Sequence, residues 1–274
     1  MSQKRSAREA SMSYRKIVTD DPIYAIHEYG LDVNNLEIYL TGSDNYVLGA
    51  GSEEVAEPGV EYTMSNKFIK NLQICMHNGR GKNNKLLPII IHMKTDGGDW
   101  SEGMAIYDAI KACPNPVVIL NYTHARSMSS IILQAADKRV MMPTSYFMFH
   151  EGDGLVAGTQ KQIKSQIEFD KRDDDIMLTL YARRLRRKGI YKGKSLSFIK
   201  KDLKRRMDKH EEVYIDAAET IREGFADEIF DGNWKKLRDV QKGYKKEADE
   251  DDTDKKLRKA KNGTNHPSRK HRKR

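Results

Sequence analysis

Two apolar runs, LLPIIIHMKT at 86–95 and PVVILNYT at 116–123, constrain this 274-residue chain more than any other feature. Neither alternates strictly between apolar and polar residues, as a strand wet on one face would. Each reads as a strand buried on both faces, and such strands belong to parallel sheets covered by helices. The residues between them supply the crossover. GMAIYDAIKAC (103–113) sets Ile106, Ile110 and Cys113 on one side, and Pro114 and Pro116 end the helix. Strand, helix and strand at this spacing make a right-handed parallel unit.

The same pattern continues to either side. LEIYLTG (36–42) reads as an earlier strand and SNKFIKNLQICMH (65–77) as a helix. Ser127–Ala136 reads as a helix with Met128, Ile132 and Ala135 inward, followed by strands in RVMMP (139–143) and SYFMFH (145–150). The expected fold class is α/β with a mainly parallel sheet. Loops are expected at 47–59, 78–85 and 151–158, from their Gly, Asn and Glu content. Residues 159–188 read as one long charged helix, too polar all round for a core, that projects or packs against another subunit. Residues 194–206 and 216–224 are helical, and 226–232 returns as a short strand. The organisation expected is a partly flexible arm with some local order (1–34), one domain (35–240) and a charged, disordered tail (241–274).

Charge and composition narrow the function classes. Apolar content of 38% and charged content of 32% fit a soluble globular chain. No apolar run approaches the roughly 20 residues of a membrane span, and no signal-type apolar stretch opens the sequence. Cys75 and Cys113 have neither the number nor the spacing of a disulfide framework or a zinc site, which points to a reducing, cytoplasmic compartment. The formal charge is +9, yet 13 Lys/Arg and 6 Asp/Glu lie in 241–274 alone, so the body is close to neutral. The block 255–274 has 10 basic residues and no acidic one. Without interleaved aromatics it reads as a solvated tail rather than a nucleic-acid contact. The run 183–206, with 12 Lys/Arg and one Asp, reads as a solvated face or as a partner for acidic clusters such as Asp173–Asp175 of a neighbouring subunit.

Three short stretches carry chemistry. TDGGDW (95–100) ends a buried strand with paired glycines, which let backbone N–H groups face a cleft or simply make a tight turn. ARSMSS (125–130) joins a strand to a helix, so Ser127 is either an ordinary helix cap or a nucleophile at the C-terminal edge of a parallel sheet. In the second case the Met128 N–H is placed to serve a developing oxyanion. His150 ends an apolar strand, where it is either satisfied by backbone or within reach of a serine. Taken together, the three supply an oxyanion hole, a nucleophile and a general base, the inventory for acyl transfer.

In that order and spacing, TDGGDWSEGMAIYDAI (95–110), ARSMSS (125–130), PTSYFMFHEG (143–152) and EGFADEI (223–229) resemble the proteolytic subunit of Clp-type proteases, including phage versions. The resemblance covers about 35–232 and implies a ClpP/crotonase-like fold with a projecting handle helix. It further implies a self-compartmentalised serine endopeptidase with Ser127 as nucleophile, His150 as base, and Gly98 and Met128 as oxyanion donors. The family's acidic residue maps to Glu212, two before Tyr214, with Asp208 and Glu211 as rivals. Homo-oligomeric heptameric rings, stacked in pairs, would enclose polypeptide substrates fed by an ATP-driven unfoldase. No nucleotide, cofactor or metal is expected on this chain, and no GxxxxGK[ST] loop occurs in it. Thr95-Asp96 replaces the family's Ser-Pro, and Arg126 replaces a small residue. Those departures keep open an inactive structural or capsid-associated homologue (or a capsid-maturation protease), and the related fold with a glycine-based oxyanion hole keeps open a crotonase-like acyl-CoA enzyme, against which the Ser127–His150 pairing speaks.

Overall fold

The computed structural model describes residues 21–41, 59–152 and 156–241. The expected loop at 47–59, apart from Gly59, part of the loop at 151–158, and the tail beyond Gln241 lie outside the described residues, as do residues 1–20.

The first ordered element falls inside the stretch expected as an arm. Asp21 caps helix α1 (Pro22–Tyr29) by accepting from the Tyr24 N–H at 2.8 Å, Pro22 opens it, and Gly30 closes it at φ 61°. Strand β1 (Leu31–Asp32) follows and pairs antiparallel with β2 (Glu37–Thr41), with Leu31, Val33 and Leu36 buried in the core. The sheet therefore begins at Leu31, four residues before the expected start of the domain.

Helix α2 (Tyr62–Asn78), strand β3 (Ile89–Thr95), helix α3 (Trp100–Ala112) and strand β4 (Val117–Arg126) follow as anticipated from the apolar patterning. Helix α4 (Met128–Leu133), strands β5 (Lys138–Met141) and β6 (Tyr146–Phe149), and the long helix α5 (Gln160–Leu185) come next. The chain then adds α6 (Leu196–His210), β7 (Val213–Asp216), α7 (Ala217–Glu223), β8 (Glu228–Ile229) and α8 (Trp234–Leu237). Strand order in the sheet is β1-β2-β3-β4-β5-β8, with β6 paired to β4 and to β7. Among the described residues, β1/β2 and β6/β7 are the antiparallel pairs.

The unbroken apolar runs have a direct cause. On β3 and β4, Ile89, Ile91, Met93, Val117 and Ile119 pack under the helices, while Ile90, Val118 and Leu120 pack on the opposite face with Val140 and Leu237. Strand β4 extends three residues past the expected end because it changes neighbour. Val118–Asn121 pair with β5, and His124–Arg126 pair with β6. Helix α4 is shorter than expected. The chain leaves it through tight turns so that Asp137 can bond Val117 twice, donating its N–H to the Val117 carbonyl and accepting the Val117 N–H, each at 2.9 Å.

Helix α5 corrects one expectation. Its first turns are mostly polar, opened by a Thr159/Gln162 capping box, and leave Ile167 and Phe169 exposed. Its last turns are core: Met177, Leu178, Tyr181, Ala182 and Leu185 are buried. Tyr181, Phe147, Phe149 and Phe225 form one aromatic cluster, with Phe147 and Phe225 stacked at 4.4 Å between centroids. This cluster fixes β6. With Phe147 and Phe149 turned inward, the pleat sends Tyr146, Met148 and the following His150 to the other face. Five of the twelve basic residues in 183–206 pair with carboxylates of the same chain, Lys188 with Asp227, Lys200 with Asp175, Lys204 with Glu151 and Asp208, Arg205 with Asp202 and Arg206 with Glu223. No described helix is long and apolar enough to cross a membrane.

Candidate active site

Strands β3, β4 and β6 run parallel and end together, so the residues that follow them meet at one edge. Gly97 and Gly98 follow β3, Ser127 follows β4 and His150 follows β6. This is the edge where open parallel sheets place their sites.

Ser127 sits in a strained elbow, with φ 49° and ψ −130°, conformations that L-residues seldom adopt. Its two serine neighbours hold it there. Ser129 Oγ accepts from the Arg126 N–H at 2.9 Å and donates to the Arg126 carbonyl at 2.7 Å. Ser130 Oγ donates to the Ser127 carbonyl at 2.5 Å and pairs with the buried Tyr181 hydroxyl at 2.6 Å. Burial pushes the pKa of the Tyr181 phenol up, so it stays protonated in this bond. Sequence reasoning gives Ser129 and Ser130 only capping or packing roles and does not reach Tyr181. Both serines in fact brace the elbow, and a Ser-x-Ser-Ser spacing is the available signal.

The glycine pair packs against this elbow. Gly97 has φ 105°, and a Cβ there would fall 2.8 Å from both the Met128 nitrogen and Ser127 Cβ. Gly98 has φ 135°, and a Cβ there would overlap the backbone of Val60. Val60 donates its N–H to the Gly97 carbonyl and accepts from the Asp99 N–H, the latter at 2.8 Å. That ladder faces away from the Gly98 N–H. Among the described residues, neither the Gly98 nor the Met128 N–H is used in a backbone hydrogen bond.

The imidazole of His150 reaches the serine, with Nε2 2.9 Å from Ser127 Oγ. The three candidate acids make other contacts. The Glu212 carboxylate accepts from the Tyr214 hydroxyl at 2.6 Å. Asp208 pairs with Lys204 at 3.1 Å, and Glu211 closes α6 with φ 55°. Asp208 and Glu211 do rim a cavity of about 680 Å³ that also borders His150, but none of the three carboxylates bonds the imidazole. The structure thus brings together Ser127, His150, Met128 and the glycine pair, and leaves all three candidate acids without a bond to the imidazole.

Arg126 also has partners in this structure. Its guanidinium Nε lies 4.0 Å from Asp96 Oδ1, the oxygen that lies 2.5 Å from His124 Nε2. Burial lowers the Arg126 pKa, but the Tyr146 hydroxyl and Asp96 outweigh it and hold the group above its usual range. Two of the residues that depart from the Clp pattern, Asp96 and Arg126, therefore face one another. Among the described residues no group of three or more His, Cys, Asp or Glu is arranged to hold a metal ion.

Comparisons with known proteins agree with this architecture. The chain is 26% identical over 172 residues to an ATP-dependent Clp protease proteolytic subunit 2 of Thermobifida fusca, covering 62% of this chain and 76% of that one. It is 28% identical over 178 residues to the corresponding subunit of Streptococcus mutans, covering 64% and 82% of the two chains. The solved structure of a ClpP1 point mutant from Listeria monocytogenes shares the fold, with a TM-score of 0.54 at 18% identity over 75% of this chain and 96% of that one. A family model described as Clp protease matches residues 55–233, a span that holds Gly98, Ser127, His150 and Glu212. With more than half of its length matched by that model, the chain belongs to the Clp protease family.

Proposed function

We propose that this protein is a serine endopeptidase that works inside a homo-oligomeric ring. The observation that carries the proposal is the 2.9 Å contact between Ser127 Oγ and His150 Nε2 at a strand-to-helix elbow. That distance suits proton transfer as the hydroxyl attacks a peptide carbonyl. In this mechanism His150 takes the Ser127 proton, and the oxyanion is received by the N–H groups of Gly98 and Met128. The same proton then passes to the leaving amine. Water, activated by His150, hydrolyses the acyl-enzyme and restores Ser127. Glu212 is the acid assigned to orient the imidazole.

Membership of the family supports polypeptide substrates, stacked heptameric rings and an ATP-driven unfoldase as partner. A cytoplasmic site of action belongs to the same proposal. The two cysteines are buried and neither is in a disulfide, and burial pushes the Cys75 thiol up to about 12, so it stays a thiol at neutral pH. The position of Glu212, bonded to Tyr214 rather than to His150, favours a second reading, an inactive structural homologue.

Fluorophosphonate labelling separates the two. The wild type is expected to label and Ser127→Ala is not. Equal labelling of both proteins would sink the peptidase reading, while peptide hydrolysis that disappears in Ser127→Ala would remove the inactive one.

The proposed oxyanion hole gives a further expectation. Gly98→Ala places a methyl group into the Val60 backbone at a φ that alanine avoids, so the N–H must move. Hydrolysis should fall by about 10²–10³-fold in kcat, the usual effect of losing one oxyanion donor. A variant that retains wild-type kcat would exclude Gly98 from that role.

A further inference from the structure

Strands β6 and β7 pair Phe149 with Val213 and Met148 with Tyr214. Continued by one residue, that register sets Glu212 directly opposite His150, where side chains of an antiparallel pair lie about 5 Å apart at Cβ. Because side chains alternate, Tyr146, Met148 and His150 share one face with Glu212 and Tyr214. The backbone therefore offers Glu212 to the imidazole. Its carboxylate nevertheless turns along its own strand, to the Tyr214 hydroxyl at 2.6 Å.

We propose that Tyr214 is a positioning residue that holds Glu212 off His150, so that its hydroxyl sets how often the Ser127–His150 pair has its acid. This rests on the peptidase reading of Ser127 and His150. Three observations carry it. The bond joins Glu212 to a residue two positions away, and the register leaves the imidazole as the competing partner. Tyr214 is itself anchored, with its ring 5.7 Å from that of Tyr146, which faces His124 in turn at 5.4 Å. Finally, Arg126 lies close enough to favour negative charge at this end of the strand, acting on both Tyr146 and Tyr214. Tyr214 and Glu212 lie outside the buried core, so exchanging them does not threaten it.

The test is a double-mutant cycle in the full-length protein. Tyr214→Phe keeps the ring and deletes the donor. It should raise kcat for a fluorogenic peptide roughly fivefold, the scale of one exposed charge-assisted hydrogen bond, with KM unchanged. In a Glu212→Ala background the same substitution should do nothing. A structure of Tyr214→Phe should place a Glu212 carboxylate oxygen within hydrogen-bond distance of His150 Nδ1. An unchanged or lower kcat in Tyr214→Phe, or an equal rise with Glu212→Ala, would overturn the proposal. If the wild type shows no Ser127-dependent turnover, the peptidase reading fails, and the place of Glu212 in the Tyr214→Phe structure still decides the role of Tyr214.

Discussion

Ser127→Ala should lower kcat for peptide hydrolysis by about 10⁶-fold, and His150→Ala should lower it by a similar factor. The double substitution should be no worse than either alone. In the proposed mechanism the two residues act as one unit. Without the imidazole 2.9 Å away the hydroxyl keeps its proton, and without the hydroxyl the imidazole has no proton to take. What remains is the catalysis from substrate binding and backbone N–H groups, about 10³–10⁴ above water in serine proteases. Single-turnover kinetics on the three variants decide the matter. Additive losses would mean that Ser127 and His150 serve different steps. Neither change should alter the assembly or the unfolding midpoint by much, since neither side chain fills the core.

The second large effect concerns stability. Arg139 is almost wholly buried beside Asp227, whose carboxylate accepts from its N–H, Nε and Nη2 at 2.9–3.0 Å. The same guanidinium donates to Gln134 Oε1 at 2.7 Å and to the Gly224 carbonyl at 3.0 Å. One side chain therefore ties the turn after α4 to the end of α7. Asp227→Ala leaves a buried cation without its anion and should cost about 3–5 kcal/mol in urea unfolding. A loss below about 1 kcal/mol would show that Gln134 and Gly224 suffice to hold the guanidinium.

The pH dependence of this contact has a definite sign. Burial raises the Asp227 pKa, but Arg139 outweighs it and brings the group down to about 2. The unfolded chain titrates near the ordinary aspartate value of roughly 3.9, so the contact is at full strength above that pH. Its contribution, about 2 kcal/mol, should fade as the pH drops from about 4 toward 2, as the folded carboxylate takes up its proton. The slope in that window should be shallower in Asp227→Ala, by the share that Asp227 contributes.

Much of the site can be read in the sequence because glycine and apolar period leave marks there. The runs at 86–95 and 116–123 are apolar on both faces of the sheet, and the glycine pair and Ser127 stand where those strands end. Other features leave weaker traces. Strand β1 has two residues, too few to show a period, so the start of the sheet reads as an arm. The last turns of α5 are core, but averaging over the whole helix lets its polar first turns decide the reading. Arg139 and Asp227 lie 88 positions apart, and nothing local marks them as partners. Glu212 shows a different limit. The resemblance to the family's pattern points to the position, but the carboxylate accepts from a hydroxyl two residues on, a partner the pattern does not contain.

The elbow at Ser127 has a consequence for how such a chain changes over generations. A residue held at φ 49° and ψ −130° carries a conformational cost of about 1–3 kcal/mol, and glycine at the same place would carry little of it. The proposed nucleophile thus occupies a position where a substitution that would end the proposed chemistry should also make the fold more stable. In a lineage that still needs hydrolysis, selection for activity must hold serine there against that gain. In a lineage that has lost the need, stability and drift act in the same direction, and a glycine at 127 would be among the earliest marks of the change.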